Sequence, residues 1–544
     1  MAAENAGPYD LIIRNGTLYD GRGGAPFIGD VAVADDRLAL VGDAGRARGR
    51  EEIDAAGLAV APGFVNILSW AGEALLHDGR SQSDIRQGVT LEVMGEGRSM
   101  GPLNETIRRE MRRRQGDIQY EITWTTLDEF LRELVRRGVS ANVASFVGAA
   151  TVRTHELGYE DRPPTPAELE AMRAHVRRAM AEGAVGLSSA LIYAPGSYAA
   201  TEELIALAEV VAAYDGLYIS HIRNEGARLL PALEEFTHIV RAAGVRGEIY
   251  HLKAAGLPNW HLLTEAIDRI EEARAVGLDI TADIYPYAAS STGLNAVMPG
   301  WVQEGGLDAW RQRLQDPEIR ARVKAEMLDP EPGWENMFTD TGPERMALVG
   351  FRSEALRPLT GQTLAEVAAA RGASPAETAM DLVVEDESSV QVVYHSMSEE
   401  NVRCKIRLPW VSFCSDARSL APEGIFLRSS THPRAYGAFA RLLGRYVRDE
   451  ELIPLQEAIR RLTSLPASRL RLQDRGLLAP GYFGDVVVFD PGTIQDHATY
   501  EAPHQYSSGV RHVLVNGTLV LREGEHTGAL PGRVVRGPGY KNRR

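Results

Sequence analysis

The sequence predicts an α/β protein built on a TIM-like (β/α)8 barrel with an insert before the last barrel strand. Three observations lead there. Eight short apolar runs rich in β-branched residues are spaced along the chain, longer amphipathic stretches separate several of them, and more than a hundred residues lie between the seventh run and the eighth. Alternation of buried strands with helical patterns marks repeated βα units and a parallel sheet, and eight such strands close a barrel.

The chain opens with Leu11 to Arg14, the pair Asn15-Gly16 and Thr17 to Tyr19, followed by Asp30 to Ala34 and Leu38 to Val41. Asn-Gly between alternating apolar residues predicts a hairpin, because both turn residues of that type need positive φ. The eight barrel candidates are Gly63 to Trp70, Gly88 to Glu96, Ser140 to Val147, Ala184 to Tyr193, Leu217 to Ile222, Glu248 to Lys253, Asp279 to Tyr285 and Val411 to Asp416. Helical periodicity is clearest over Pro166 to Glu182, with Thr165 as N-cap, and over Glu202 to Tyr214 and Leu262 to Val276. The long gap predicts an inserted helical subdomain at about 299–387, carrying Trp301, Trp310, Trp334 and a helix-like run from Ala309 to Met327. The C-terminus returns to strands: Asp485 to Phe489, Val513 to Val515, Asn516-Gly517 and Thr518 to Leu521. Both Asn-Gly turns match the N-x-[ST] pattern, but no secretory signal precedes them and no glycan is assigned.

Composition sets limits on function. The 544 residues are 44% hydrophobic and 24% charged, an ordinary globular mix, and 59 Lys plus Arg against 74 Asp plus Glu leave a formal charge of −15. A surface for nucleic acid would have to be built against that acidic background. The first ten residues carry Glu4 and Asp10 and no apolar core of a signal, and no apolar run is long enough to span a bilayer. The expectation is a cytoplasmic protein without nucleic-acid or membrane partners. Cys404 and Cys414 are too few for a disulfide framework and lack metal-site spacing.

Catalytic residues of a barrel come from the C-terminal ends of its strands, where the βα loops form one shared pocket. Here those ends carry Glu96 (second strand), His221 (fifth), His251 and Lys253 (sixth) and Asp416 (eighth). Two imidazoles and two carboxylates converging at one mouth suit a divalent metal, zinc above most others. Glu92 shares a face with Glu96 by the period of two. It reads as a buried structural carboxylate, with ligation as its alternative. Cys414 reads as a small packed residue, and His395 and His432, on loops around the eighth strand, as residues that orient substrate or cap a loop.

The chain resembles the D-aminoacylases (N-acyl-D-amino-acid deacylases) of the amidohydrolase superfamily over nearly its whole length. The residues that carry the resemblance are "LIIRNGTLYDG", "APGFVN", "GLSSALIYAPGSYA", "ISHIRNEG", "HLKAAG", "ADIYPYAASSTGL", "SEENV", "SDARS", "HPRAYGAFARLLGRYVR", "LTSLPASRL" and "GDVVVFDPGTIQDHATYEAPHQY". It implies a small β-sandwich assembled from residues 1–61 and 475–544, a metal-dependent hydrolase barrel over 62–474 and the insert at 299–387. In two places the chain departs from the family. The first barrel strand normally ends in a His-x-His pair, and this chain reads "PGFVNILSW", so Leu68 and Trp70 stand where the two metal-binding histidines would. Neither offers a lone pair. The family's "GNCG" turn after the second strand, whose cysteine binds the tightly held metal, is "MGEGRSMGP" here, so Glu96 substitutes a carboxylate oxygen for the thiolate.

The resemblance therefore implies one metal per chain, zinc or another divalent ion, held by Glu96, His221 and His251, with Asp416 as the catalytic acid–base. It implies hydrolysis of the amide bond of N-acyl-D-amino acids or related N-acyl compounds, through water activated by the metal. Lys253, Tyr193, Tyr285, Ser290 and Ser291 take the positions that bind the substrate carboxylate. Competing readings are an amidohydrolase for another amide, a dipeptide, a cyclic amide or a lactone, and a metal-free pseudoenzyme. A homo-oligomer is left open.

Overall fold

The computed structural model describes residues 9–329 and 333–541. The reading of residues 1–8 as free of a signal lies outside it, as do three residues of the expected insert. Parallel strands stand at all eight expected places and are shorter than expected, mostly at their C-terminal ends. They are Phe64–Ser69, Val89–Met94, Asn142–Ser145 continued by Val147–Gly148, Gly186–Ala190, Leu217–His221, Arg246–Ile249, Ile280–Ile284 and Val411–Phe413. Each pairs in parallel with the next, from Phe64↔Val89 through Ala282↔Val411. A parallel bridge Ser69↔Ala417 then joins the residues after the eighth strand to the first. Their apolar side chains and those of the surrounding helices form the largest core cluster.

The helix Pro166–Glu182 begins as its sequence requires. The Thr165 hydroxyl accepts the Glu168 N–H at 3.3 Å, the Glu168 carboxylate accepts the Thr165 N–H at 2.7 Å, and Pro166 fills the first turn. Gly183, at φ +106°, ends it.

Strands from both chain ends share one nine-stranded sheet, joined where Val486–Phe489 pairs with Ala59–Pro62, with an apolar cluster of its own. The two Asn-Gly pairs behave differently. Asn516 and Gly517 both have positive φ and connect the antiparallel pair Val515↔Thr518, a true hairpin. At the N-terminus only Asn15 has positive φ, and Tyr9–Leu18 runs on as one strand with a bulge between Ile13 and Gly16. The expected hairpin is therefore a bulge, since a two-residue turn needs both residues left-handed.

A second apolar cluster, drawn from Leu294 to Tyr394, is separate from the main core. It packs on the antiparallel sheet of Ser290–Gly293, Gln391–Tyr394 and Met346–Gly350. The run Ala309 to Met327 is two helices, Leu307–Arg313 and Pro317–Met327. Pro317 cannot sit in a helix interior, and Asp316 caps the second helix by accepting the Glu318 and Ile319 N–H groups. Among the described residues no helix is long and apolar enough to cross a membrane.

Candidate metal centre at the strand ends

Glu96 lies in a turn two residues past the second strand, between Gly95 at φ +104° and Gly97 at φ +60°. The turn is packed so tightly that a Cβ on Gly97 would collide with Ala190. It is held by the Gly97 N–H on Ser188 Oγ (3.0 Å) and by the Gly97 carbonyl, which accepts the Ala150 N–H (3.0 Å). His221 is the last residue of the fifth strand. His251 lies two residues beyond the sixth, at φ +35°, with its N–H on Asp283 Oδ1 at 2.9 Å. Asp416, at φ +48°, donates its N–H to the Leu68 carbonyl at 3.0 Å. Two of these four side chains thus sit on left-handed backbone that non-glycine residues seldom adopt, a strain found most often at functional sites.

The side chains of Glu96, His221 and His251 converge. Their candidate ligand atoms lie within 4.8 Å of one another, and all three residues are buried. Glu96 Oε1 is 3.2 Å from His221 Nδ1 and 3.1 Å from His251 Nε2, and the two rings meet edge to face with centroids 4.6 Å apart. Burial alone would raise the pKa of Glu96, but the hydrogen bonds from both imidazoles outweigh it and hold the carboxylate well below its usual range. Burial and Lys253 work to lower the pKa of His251, yet Glu225 and Glu96 push it up to about 10. His221 Nε2 is buried without a hydrogen-bond partner among the described residues and lies 3.4 Å from Glu225 Oε2. A carboxylate and two imidazoles, three donors in all, form a set that fits a zinc-type ion.

Glu92 is elsewhere. It accepts from Ser69 Oγ at 2.6 Å and lies beside Asp84, with Asn66 Nδ2 donating to Asp84 Oδ1 at 3.3 Å. Burial raises both carboxyls, Asp84 to about 6, and Glu92 further with Asp84's charge beside it. Cys414 is buried, with Sγ 3.1 Å from Asp283 Oδ1. His432 donates from Nε2 to the Ala289 carbonyl (3.0 Å) and accepts the Arg434 N–H at Nδ1 (3.0 Å), which ties down the turn carrying Arg434. The His395 ring stands against Tyr500.

The expected carboxylate-binding residues differ in how far they are already engaged. Lys253 Nζ is 2.8 Å from both oxygens of Glu225 and 2.7 Å from His251 Nδ1. Tyr193 donates to Thr292 Oγ1 (2.9 Å), and Ser291 donates to the Val392 carbonyl (3.0 Å). Tyr285 Oη and Ser290 Oγ are buried without partners among the described residues. Sequence reasoning missed two charged neighbours. Glu225, on the loop four residues after His221 in "ISHIRNEG", meets Lys253, His251 and His221, and no local spacing signals it. Arg434, in "HPRAYG", is buried over the Tyr285 ring at 4.4 Å, with Nη1 2.7 Å from Asp416 Oδ2 but off the line of a hydrogen bond. Burial pushes the pKa of Asp416 up, against the opposing pull of Arg434.

A candidate zinc-type donor set and a buried carboxylate gathered at the ends of parallel strands form the kind of site on which a metal-dependent hydrolase works. The chain belongs to the amidohydrolase family, whose model matches residues 51–521. It is 33% identical over 539 residues to D-aminoacylase of Alcaligenes xylosoxydans xylosoxydans, covering 98% of this chain and 99% of that one. It is 32% identical to N-acyl-D-glutamate deacylase of the same organism, over 97% of this chain and 96% of that one. Among solved structures, the N-acyl-D-glutamate deacylase of Bordetella bronchiseptica, complexed with zinc and a phosphonate mimic of the tetrahedral intermediate, aligns with a TM-score of 0.79. That match is 29% identical and covers 97% of this chain and all of the other.

Proposed function

We propose that the protein is a metal-dependent deacylase that hydrolyses the amide bond of N-acyl-D-amino acids. The observation that carries this reading is the meeting of Glu96, His221 and His251 at strand ends with Asp416 at the neighbouring mouth position, on a chain that aligns end to end with D-amino-acid deacylases. Supporting it is a frame read as a closed (β/α)8 barrel over 62–474, with a β-sandwich from 1–61 and 475–544 and an insert at 299–387. The continuous parallel pairing, the shared terminal sheet and the separate cluster from Leu294 to Tyr394 favour those divisions.

Glu96, His221 and His251 would hold one zinc-type ion. When bound, such an ion polarises an amide carbonyl and lowers the pKa of water toward about 7. The remaining work falls to side chains. Asp416 takes the proton from the attacking water and returns it to the leaving amine nitrogen. Its raised pKa suits a group that must both accept and release a proton. The substrate carboxylate is met by the mouth formed by Tyr193, Tyr285, Ser290, Ser291 and Lys253, joined by Arg434. Within that set Tyr285 and Ser290 are the first contacts, because Tyr285 Oη and Ser290 Oγ are buried without hydrogen bonds among the described residues, and Arg434, which faces Asp416, stands over the Tyr285 ring beside them. Lys253 neutralises Glu225 beside His251 and so holds the imidazole from behind.

The test is hydrolysis of paired N-acetyl-D- and N-acetyl-L-amino acids by zinc-loaded and chelator-stripped protein. Release of the D-amino acid by the loaded protein alone supports the reading. Equal turnover of both enantiomers, or turnover that survives stripping, contradicts it.

A further inference from the structure

Away from the strand ends, His155, Glu156 and His175 bring three metal-ligating side chains to one point between two helices. His155 and Glu156 lie in the last turn of the helix Ala149–Leu157, and His175 lies in the middle of Pro166–Glu182, against which that helix packs. His155 Nδ1 is 2.7 Å and His175 Nε2 is 2.9 Å from the same oxygen, Glu156 Oε1, and the two rings are 4.2 Å apart. The three side chains are only 21 to 24% exposed.

We propose that these residues form a second, structural site for a zinc-type divalent cation that clamps the two helices together. Two imidazoles and one carboxylate are a zinc donor set, with a position left for water. Metal–ligand bonds of about 2.0–2.1 Å at tetrahedral angles put ligand atoms about 3.3 Å apart. The two nitrogen–oxygen separations therefore have to open by only about half an ångström. The site stands at the C-terminal end of Ala149–Leu157, where the helix dipole favours positive charge.

The position gives the clamp a purpose. The other end of the same helix carries the Glu96 turn, through the Ala150 N–H on the Gly97 carbonyl (3.0 Å) and the Ser99 N–H on Thr151 Oγ1 (2.8 Å). The His155 carbonyl also accepts from Asn104 Nδ2 at 2.9 Å, the side chain that caps the helix Glu105–Arg114. Pinning this helix to Pro166–Glu182 fixes the platform on which Glu96 stands.

The test compares wild-type protein with the His155→Asn/His175→Asn variant, and separately with Glu156→Gln, each stripped of metal, titrated with zinc chloride and freed of excess by gel filtration. Bound zinc and melting temperature are read together. The wild type should retain about one zinc per chain more than either variant, and zinc should raise its melting temperature further than theirs, while the metal-free melting temperatures agree. Equal zinc content in wild type and a folded variant overturns the proposal, as does an equal rise in melting temperature. If one variant fails to fold, the other decides. The readout is a difference between proteins that share Glu96, His221 and His251, so failure of the strand-end site would lower all totals alike.

Discussion

Trp70 Nε1 donates a hydrogen bond to Asp416 Oδ1 at 3.0 Å, across the seam where the first and eighth parallel strands meet. Backbone contacts hold the seam: the Trp70 N–H on the Ala417 carbonyl (2.9 Å) and the Asp416 N–H on the Leu68 carbonyl (3.0 Å). Residue 70 is one of the two positions where the resembled family has metal-binding histidines. An indole cannot hold a metal, but its N–H can hold a carboxylate, and it grips one oxygen of Asp416 while Arg434 faces the other. Trp70→Phe keeps the ring and removes this bond. Hydrogen bonds to charged groups are worth about 1.5–3 kcal/mol, so kcat should fall at least about tenfold with metal content unchanged. Steady-state kinetics beside metal analysis measures both, and an unaltered kcat would show that the bond does not position the acid–base.

Glu96 and Glu92 should respond differently to substitution. Glu96→Ala removes a ligand and should abolish tight binding of the strand-end metal. Glu92→Gln should leave that metal in place and act on stability. Burial holds the Asp84 carboxyl at about 6, above its ordinary 3.8, with Glu92 raised beside it. The folded chain therefore binds more protons than the unfolded one between these values, and stability falls as pH rises through that window. Glu92→Gln removes one charge of the pair. Its melting temperature should exceed that of wild type near pH 7.5, with the gap closing toward pH 4. A lower melting temperature at pH 7.5 would contradict the assignment.

Arg434→Met and Lys253→Met separate the two cations at the mouth. If Arg434 meets the substrate carboxylate, its loss should raise KM for N-acyl-D-amino acids at least about tenfold more than for the matching neutral amides, since charge-assisted pairs are the strong ones. Lys253→Met should discriminate less between the two substrates, because Lys253 Nζ hydrogen-bonds both oxygens of Glu225, whereas Arg434 Nη1 stands off the hydrogen-bond line of Asp416. A KM effect of Lys253→Met confined to the acids would make the lysine a direct contact.

Much of this arrangement was legible in the sequence, because strands and their order follow from runs of buried β-branched residues. The strand ends were less legible. His251 and Asp416 lie beyond their strands on left-handed backbone, which only the surrounding hydrogen bonds impose. The bulge at Asn15-Gly16 escaped for a related reason, since the same dipeptide makes a hairpin at Asn516-Gly517 and the difference lies in which strands flank it. Glu96, His221, His251 and Asp416 were visible as polar residues closing apolar runs. Arg434 and Glu225 were not, because Arg434 opens the helix Arg434–Arg441 and Glu225 sits on a loop, and both reach the site only through tertiary packing.

The central claim is that Asp416 moves the proton at a site whose metal is held by other residues. The direct measurement is hydrolysis of an N-acetyl-D-amino acid by Asp416→Asn at zinc content matched to wild type. The amide keeps the shape and cannot accept the proton, and general acid–base groups contribute about 10² to 10⁴ in rate. A loss near the upper end of that range, with zinc still bound, is the predicted result. Activity within a few-fold of wild type, or loss of the metal together with the activity, would contradict it.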